Sequence, residues 1–212
     1  YWSIDGDAEN AVNGEWIKGP GKDLFDNVKG GFGDDKQIIA EDLGLITEEV
    51  RALRKECGFP GMCVLQFKVF ELINDKKSEF GFEKDSVTYT GTHDNDTLRG
   101  WLEANLATEA GRKTVALAAQ YLFGLELEAE ELDEVVADGS LAANFIATAL
   151  SSTANLCIIP MQDILDLGTA ARMNEPSTTG KNWKWRLNSM DFSNALYAPA
   201  EFKQLNWLYG RR

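Results

Sequence analysis

The sequence has one histidine, three cysteines and a deficit of basic residues. Each shortage excludes something. A zinc site normally takes three or four N, S or O ligands, and His93 alone supplies little toward one. Cys57, Cys63 and Cys157 form no Cys-x-x-Cys pair, so buried reduced thiols are expected rather than a disulfide framework or a metal knuckle. Lysine plus arginine number 21 against 34 aspartates and glutamates, a formal charge of −13. That balance speaks against nucleic acid, whose phosphates call for a basic patch, and against an anionic membrane surface. No charged-then-apolar leader opens the sequence, and no apolar run approaches the ~18 residues of a membrane span. A soluble, cytoplasmic protein with a neutral, hydroxyl-rich ligand is expected.

What is present is a set of apolar strands ending in polar clusters. Gln37-Ile38-Ile39-Ala40 runs into Glu41-Asp42, Val87-Thr88-Tyr89-Thr90-Gly91 into Thr92-His93-Asp94-Asn95-Asp96, and Leu156-Cys157-Ile158-Ile159-Pro160-Met161 into Gln162-Asp163. Parallel strands carry chemistry at their C-terminal ends. A carboxylate there is costly unless it is used or paired. Three such ends converging on one edge give an acid-rich pocket of the kind glycoside chemistry requires.

The 212 residues suffice for one large domain with a sizeable core. Residues 1–21, rich in glycine, aspartate and asparagine, read as loop. Helices are expected over residues 22–28, after Thr47 as N-cap, from Asp96 as N-cap through Ala104, and over 109–122, 129–136, 140–151 and from Pro199 onward. Strands are expected at 38–41, 62–67, 87–91 and 156–161, none alternating, so both faces should be covered. Residues 71–85 read as a polar connection. Strands alternating with helices imply an α/β parallel sheet. Four strands fit half of a (β/α)₈ barrel, which needs eight, or a small open doubly-wound sheet, although no glycine fingerprint follows the first strand.

Glu41, at an apolar strand end, is a candidate general acid: a partly desolvated pocket would raise its pKa toward neutrality. A carboxylate that merely ends the strand is the plain alternative. His93 and Asp94 lie between a strand and a helix, with Asp96 better placed as cap. Asp5-Gly6-Asp7-Ala8-Glu9-Asn10 suggests calcium but fails the EF-hand template, since Trp16 stands at the twelfth position. Trp183 and Trp185 share a loop with Asn174 and Asn182. Indole faces stack on sugar rings and amides bond their hydroxyls, so the loop fits a glycan, whereas Trp101 reads as packing. A metal-assisted hydrolase using His93, Asp94 and Glu41 is a rival, as is a glucan-binding module without turnover.

The motifs together resemble the 4-α-glucanotransferases, the amylomaltases or disproportionating enzymes of the α-amylase superfamily. The resemblance rests on Ile39-Ala40-Glu41-Asp42-Leu43-Gly44, Gly58-Phe59-Pro60-Gly61-Met62, Tyr89-Thr90-Gly91-Thr92-His93-Asp94-Asn95-Asp96-Thr97, Arg172-Met173-Asn174 and Asn182-Trp183-Lys184-Trp185-Arg186, preceded by Asn13-Gly14-Glu15-Trp16-Ile17-Lys18-Gly19-Pro20. It implies the C-terminal half of a TIM (β/α)₈ barrel, strands five to eight with their helices, as a single partial catalytic domain over 1–212. It implies a retaining double displacement on α-1,4-glucan or maltooligosaccharide, in the cytoplasm or, in a plant or alga, the plastid. Glu41 would be the acid/base, Asp94 the transition-state stabiliser, and His93, Asn174 and Trp183 substrate-binding residues; neither metal nor cofactor is implied. The family's nucleophile is an aspartate in an Arg-x-Asp-His motif, which this sequence lacks. The chain is therefore expected to begin after it and to be inactive alone. Residues 71–85 also depart from the family's Asn-Pro- and His-bearing segment. Unpaired sheet edges, at the strands of Glu41 and Cys157, would invite self-association or pairing with the missing half.

Overall fold

The computed structural model describes residues 1–33, 38–44, 46–74, 82–190, 193 and 199–211. They divide into two compact units, residues 1–61 and 62–212.

The first unit opens with a hairpin where the sequence suggested only loop. Strands β1 (Trp2–Ile4) and β2 (Gly14–Trp16) pair antiparallel, with Trp2 opposite Trp16 and Ile4 opposite Gly14. The two indoles meet edge to face at 5.6 Å, a cross-strand aromatic pair of the kind that stabilises a two-stranded ribbon. A Cβ at Gly14 would run into the Ser3 carbonyl oxygen and stand 2.7 Å from the Trp2 ring, so the close strand approach requires glycine. Turn-rich composition hid these three-residue strands.

Helices α1 (Lys22–Phe32) and α2 (Glu48–Glu56) follow. Helix α2 carries Glu48 and Glu49 in its first turn and Arg54 and Lys55 in its last, matching the helix dipole at both ends. Thr47 precedes it but its side chain makes no capping bond. Phe25 of α1 packs edge to face on Phe59 at 5.1 Å, and Lys29 donates to the Cys57 carbonyl. The strand expected at 38–41 does not form. Gln37 lies outside the described residues, and 38–43 are irregular. Ala40 N–H reaches the Pro60 carbonyl, but residues 38–43 carry no strand ladder and Ile39 is exposed.

The second unit is built on a three-stranded sheet in the order β3-β4-β5, with β3 (Gly61–Val64), β4 (Ser86–Tyr89) and β5 (Leu156–Ile158). Strands β4 and β5 are parallel, Thr88 opposite Cys157. Helix α3 (Leu65–Asn74) begins where the second strand was expected to continue, and it takes up the start of the expected polar connection. Strand β5 likewise ends early. Pro160 turns the chain into α8 (Met161–Ile164), and Leu156 and Ile158 are exposed instead of covered.

Between β4 and β5 run α4 (Leu98–Leu106), α5 (Glu109–Phe123), α6 (Ala129–Ala137) and α7 (Ser140–Ser151). Their apolar faces form one core with Leu65, Val69, Leu98, Leu102, Val115, Leu141 and Phe145 at its centre. Trp101 packs against that core, edge to face with Phe70 and Phe145, which bears out its reading as a packing residue. The cap of α4 is Thr97 rather than Asp96: its hydroxyl accepts from Gly100 N–H at 3.1 Å. A final helix, α9 (Pro199–Leu208), lays Phe202 and Leu205 on the core. Cys57 is buried, Cys63 and Cys157 are half-buried, and none of the three is in a disulfide.

Candidate active site

In the second unit the chain leaves β4 through Thr90, a fully buried residue, and crosses a loop of residues 91–97 before α4. His93 and Asp94 sit at the outer turn of that loop, with half-exposed side chains. The loop is braced from within. The Asn95 side-chain oxygen accepts from both Thr92 N–H and the Thr92 hydroxyl. The Gln66 amide, buried at the start of α3, donates to the Asp96 carbonyl at 3.0 Å. The Asp96 carboxylate accepts from Thr97 N–H and from the Thr169 hydroxyl. Asp96 is thus a loop brace beside the cap.

A second loop, residues 172–183, closes over the first. Asn174 N–H donates to the His93 carbonyl at 3.0 Å, and its side-chain amide donates to Asp94 Oδ1 at 2.6 Å. Arg172 donates from Nη2 to the Asp94 carbonyl and from Nε to the Asn174 carbonyl, which ties the two loops at their backbones. The imidazole Nε2 of His93 stands 3.3 Å from Asp94 Oδ1. The ring of Trp183 lies 5.0 Å from that of His93, tilted 38°. Trp183 adopts φ +63°, uncommon for a bulky residue, while its N–H reaches the Met173 carbonyl at 2.7 Å. Asn182 holds this conformation, bonding both Glu175 backbone groups. The indole is left 55% exposed, a stacking face beside a carboxylate.

Four of the five candidate residues, His93, Asp94, Asn174 and Trp183, therefore form one cluster. Glu41 belongs to the first unit. It is exposed. Its neighbour Asp42 is largely buried and pairs with the buried Arg54 at 3.2 Å.

The third acidic strand end behaves differently from expectation. Gln162 and Asp163 turn inward within α8 and are buried, Asp163 to 3% exposure. Its Oδ2 accepts from the Thr90 hydroxyl at 2.5 Å and its Oδ1 from Leu98 N–H at 2.7 Å. Burial pushes its carboxyl up to about 6, with Asp166 and Asp96 adding to the rise and the two bonds opposing it. Asp166 itself pairs with Arg99. Gln66 and Thr169 gave no signal in the sequence, because their roles depend on partners dozens of residues away. Among the described residues no group of three or more His, Cys, Asp or Glu side chains could hold a metal ion. Nor is any described helix long and apolar enough to cross a membrane.

Fold and cluster define an α/β protein presenting a carboxylate, an imidazole, an amide and an indole at the end of a parallel strand. The chain belongs to the 4-alpha-glucanotransferase family, whose profile matches residues 1–191. It is 41% identical over 212 residues to a chloroplastic/amyloplastic 4-alpha-glucanotransferase of Arabidopsis thaliana, covering all of this chain and 34% of that protein. It is 40% identical over 211 residues to a 4-alpha-glucanotransferase of Clostridium butyricum, again over all of this chain and 40% of that protein. In structure it is similar to the amylomaltase from Streptococcus agalactiae in complex with acarbose, with a TM-score of 0.79 and 31% identity, covering all of this chain and 39% of that one. The chain thus spans well under half the length of these relatives.

Proposed function

We propose that the chain is the acid/base- and stabiliser-bearing part of a 4-α-glucanotransferase: strands five to eight of a (β/α)₈ barrel with their helices, one partial catalytic domain over 1–212. The substrate is an α-1,4-glucan or maltooligosaccharide. In a retaining double displacement, Glu41 protonates the glycosidic oxygen as the donor bond breaks, then takes the proton of the acceptor hydroxyl as the new bond forms. Asp94 stays ionised and opposes the positive charge that develops on the glucosyl ring. His93 and Asn174 bond sugar hydroxyls, and Trp183 stacks on a ring face. Support comes from the motif order and the family match. The observation that carries the reading is the Asp94 cluster, in which amide, imidazole and indole surround one carboxylate on an open loop. The site of action is the cytoplasm or a plastid.

The Arg-x-Asp-His nucleophile motif is absent from these 212 residues, so alone they do not form the covalent glycosyl intermediate. Purified chain, free of host enzyme, is expected to show no maltotriose disproportionation. A longer protein joining these residues to an Arg-x-Asp-His segment is expected to be active. There Glu41→Gln and Asp94→Asn should each lower kcat by on the order of 10²–10³-fold or more. Turnover by the chain alone, or an undiminished rate in either variant, overturns the reading. The exposed Trp183–His93 pair also favours a second reading, a module that holds glucan without turning it over. Calorimetric titration with maltoheptaose separates that from an inert chain. The exposed apolar residues of β5 further support self-association, or pairing with a complementary half, through this sheet edge.

A further inference from the structure

The residues that would act, His93 and Asp94, sit on a loop flanked by Thr90, the first residue after β4, and Leu98, the first residue of α4. One carboxylate holds both ends. Asp163 accepts from the Thr90 hydroxyl with one oxygen and from Leu98 N–H with the other, across 73 and 65 residues of sequence. Thr90 and Leu98 are fully buried and Asp163 nearly so. Leu98 N–H is at the start of a helix, where backbone donors have no partner of their own. The other ties to the loop, from Gln66, Thr169, Arg172 and Asn174, act on its interior. They fix its shape but not the separation of its flanks.

We propose that Asp163 is a positioning residue that pins together the two flanks of the 91–97 loop and so sets where Asp94 and His93 stand. This rests on the functional reading given to Asp94 and His93. Asp163 is buried away from solvent and touches no sugar; it acts through the backbone of the loop. A carboxylate suits the task because its two oxygens accept from a hydroxyl and an amide at once, whereas a hydrophobic residue would leave Leu98 N–H unpaired in the core.

The test uses the whole 212-residue chain. His93 is its single histidine, so one imidazole signal in the NMR spectrum reports the loop without ambiguity. That ring stands 5.0 Å from Trp183, whose ring current sets the peak position. Asp163→Ala is expected to move the imidazole peak away from its native position. Asp163→Asn, which keeps an acceptor for Leu98 N–H and a partner for Thr90, should restore it. Thr90→Val, which removes one arm of the pin, should move it part of the way and serves if Asp163→Ala does not fold. Leu141→Val, a core change on α7, should lower Tm without moving the peak. An unmoved peak in Thr90→Val or in folded Asp163→Ala overturns the proposal, as does an equal movement in Leu141→Val. Full turnover by Asp94→Asn in the longer protein would instead sink the functional reading and leave the pin standing.

Discussion

At the scale of single residues, Asp163 gives the sharpest pH signature. Its carboxyl rises from the ordinary 3.8 to about 6 on folding. A raised acid binds its proton more tightly in the folded state, so its contribution is fully present below about pH 4 and is lost as pH rises through 6. The full swing is roughly 3 kcal/mol. Asp96, Asp166 and Arg99 are the charged groups around it, and Asp163→Asn leaves all three in place. The Tm of the native chain minus that of Asp163→Asn should therefore fall steadily between pH 4 and 7. A flat difference contradicts the assignment. In the sequence, Asp163 was visible as an acid at a strand end, but its inward turn was not. Pro160 starts a short helix one residue after the strand, and only the packing of α8 beneath the loop shows which way the carboxylate faces. His93, Asp94, Asn174 and Trp183 were legible because each lies in a contiguous motif. Their mutual contacts were not, since some 80 residues separate the two loops.

At the scale of elements, helix starts offer a controlled comparison. Thr97 and Thr47 both precede helices, and both read as capping residues or their neighbours. Only Thr97 makes the side-chain bond to the helix backbone. Thr97→Ala is expected to cost about 1 kcal/mol and Thr47→Ala a good deal less; equal losses in chemical denaturation would refute the distinction. Gly100 tests the same turn from inside. Replacing a helical glycine by alanine ordinarily helps by about 1 kcal/mol. Here the added methyl would stand 2.7 Å from the Asp96 carboxylate and closer still to the Thr169 hydroxyl, so Gly100→Ala should destabilise instead. The helices from residue 98 to 151 were readable from period and caps because their contacts are largely with one another. The strands were less so. An apolar run such as 62–67 or 156–161 marks a strand, but shows neither where its ladder gives way to a helix nor whether both faces are covered. The hairpin was not legible because three-residue strands leave no alternation.

At the scale of the molecule, apolar burial is unevenly shared. The main core lies entirely between Leu65 and Leu150, in the second unit. The first unit buries little apolar surface among its described residues beyond Cys57 and Phe59. Local stability follows such contacts, so amides of α1 and α2 should exchange with deuterium well before those of α4, α5 and α7. Equal protection by mass spectrometry would contradict this. The exposed face of β5 leads to a second expectation: light scattering should show self-association at high concentration, and Leu156→Lys should reduce it. A compact monomer at all concentrations would remove the edge from consideration.

The pin at Asp163 also imposes an order on synthesis. The partners it joins leave the ribosome 73 and 65 residues ahead of it, with α4 to α7 made in between. A nascent chain halted between residues 98 and 162 already displays its histidine and the neighbouring acid, yet the two flanks of their loop are not joined to each other. The placement of this corner of the protein is thus completed late, by a buried side chain that arrives after four helices.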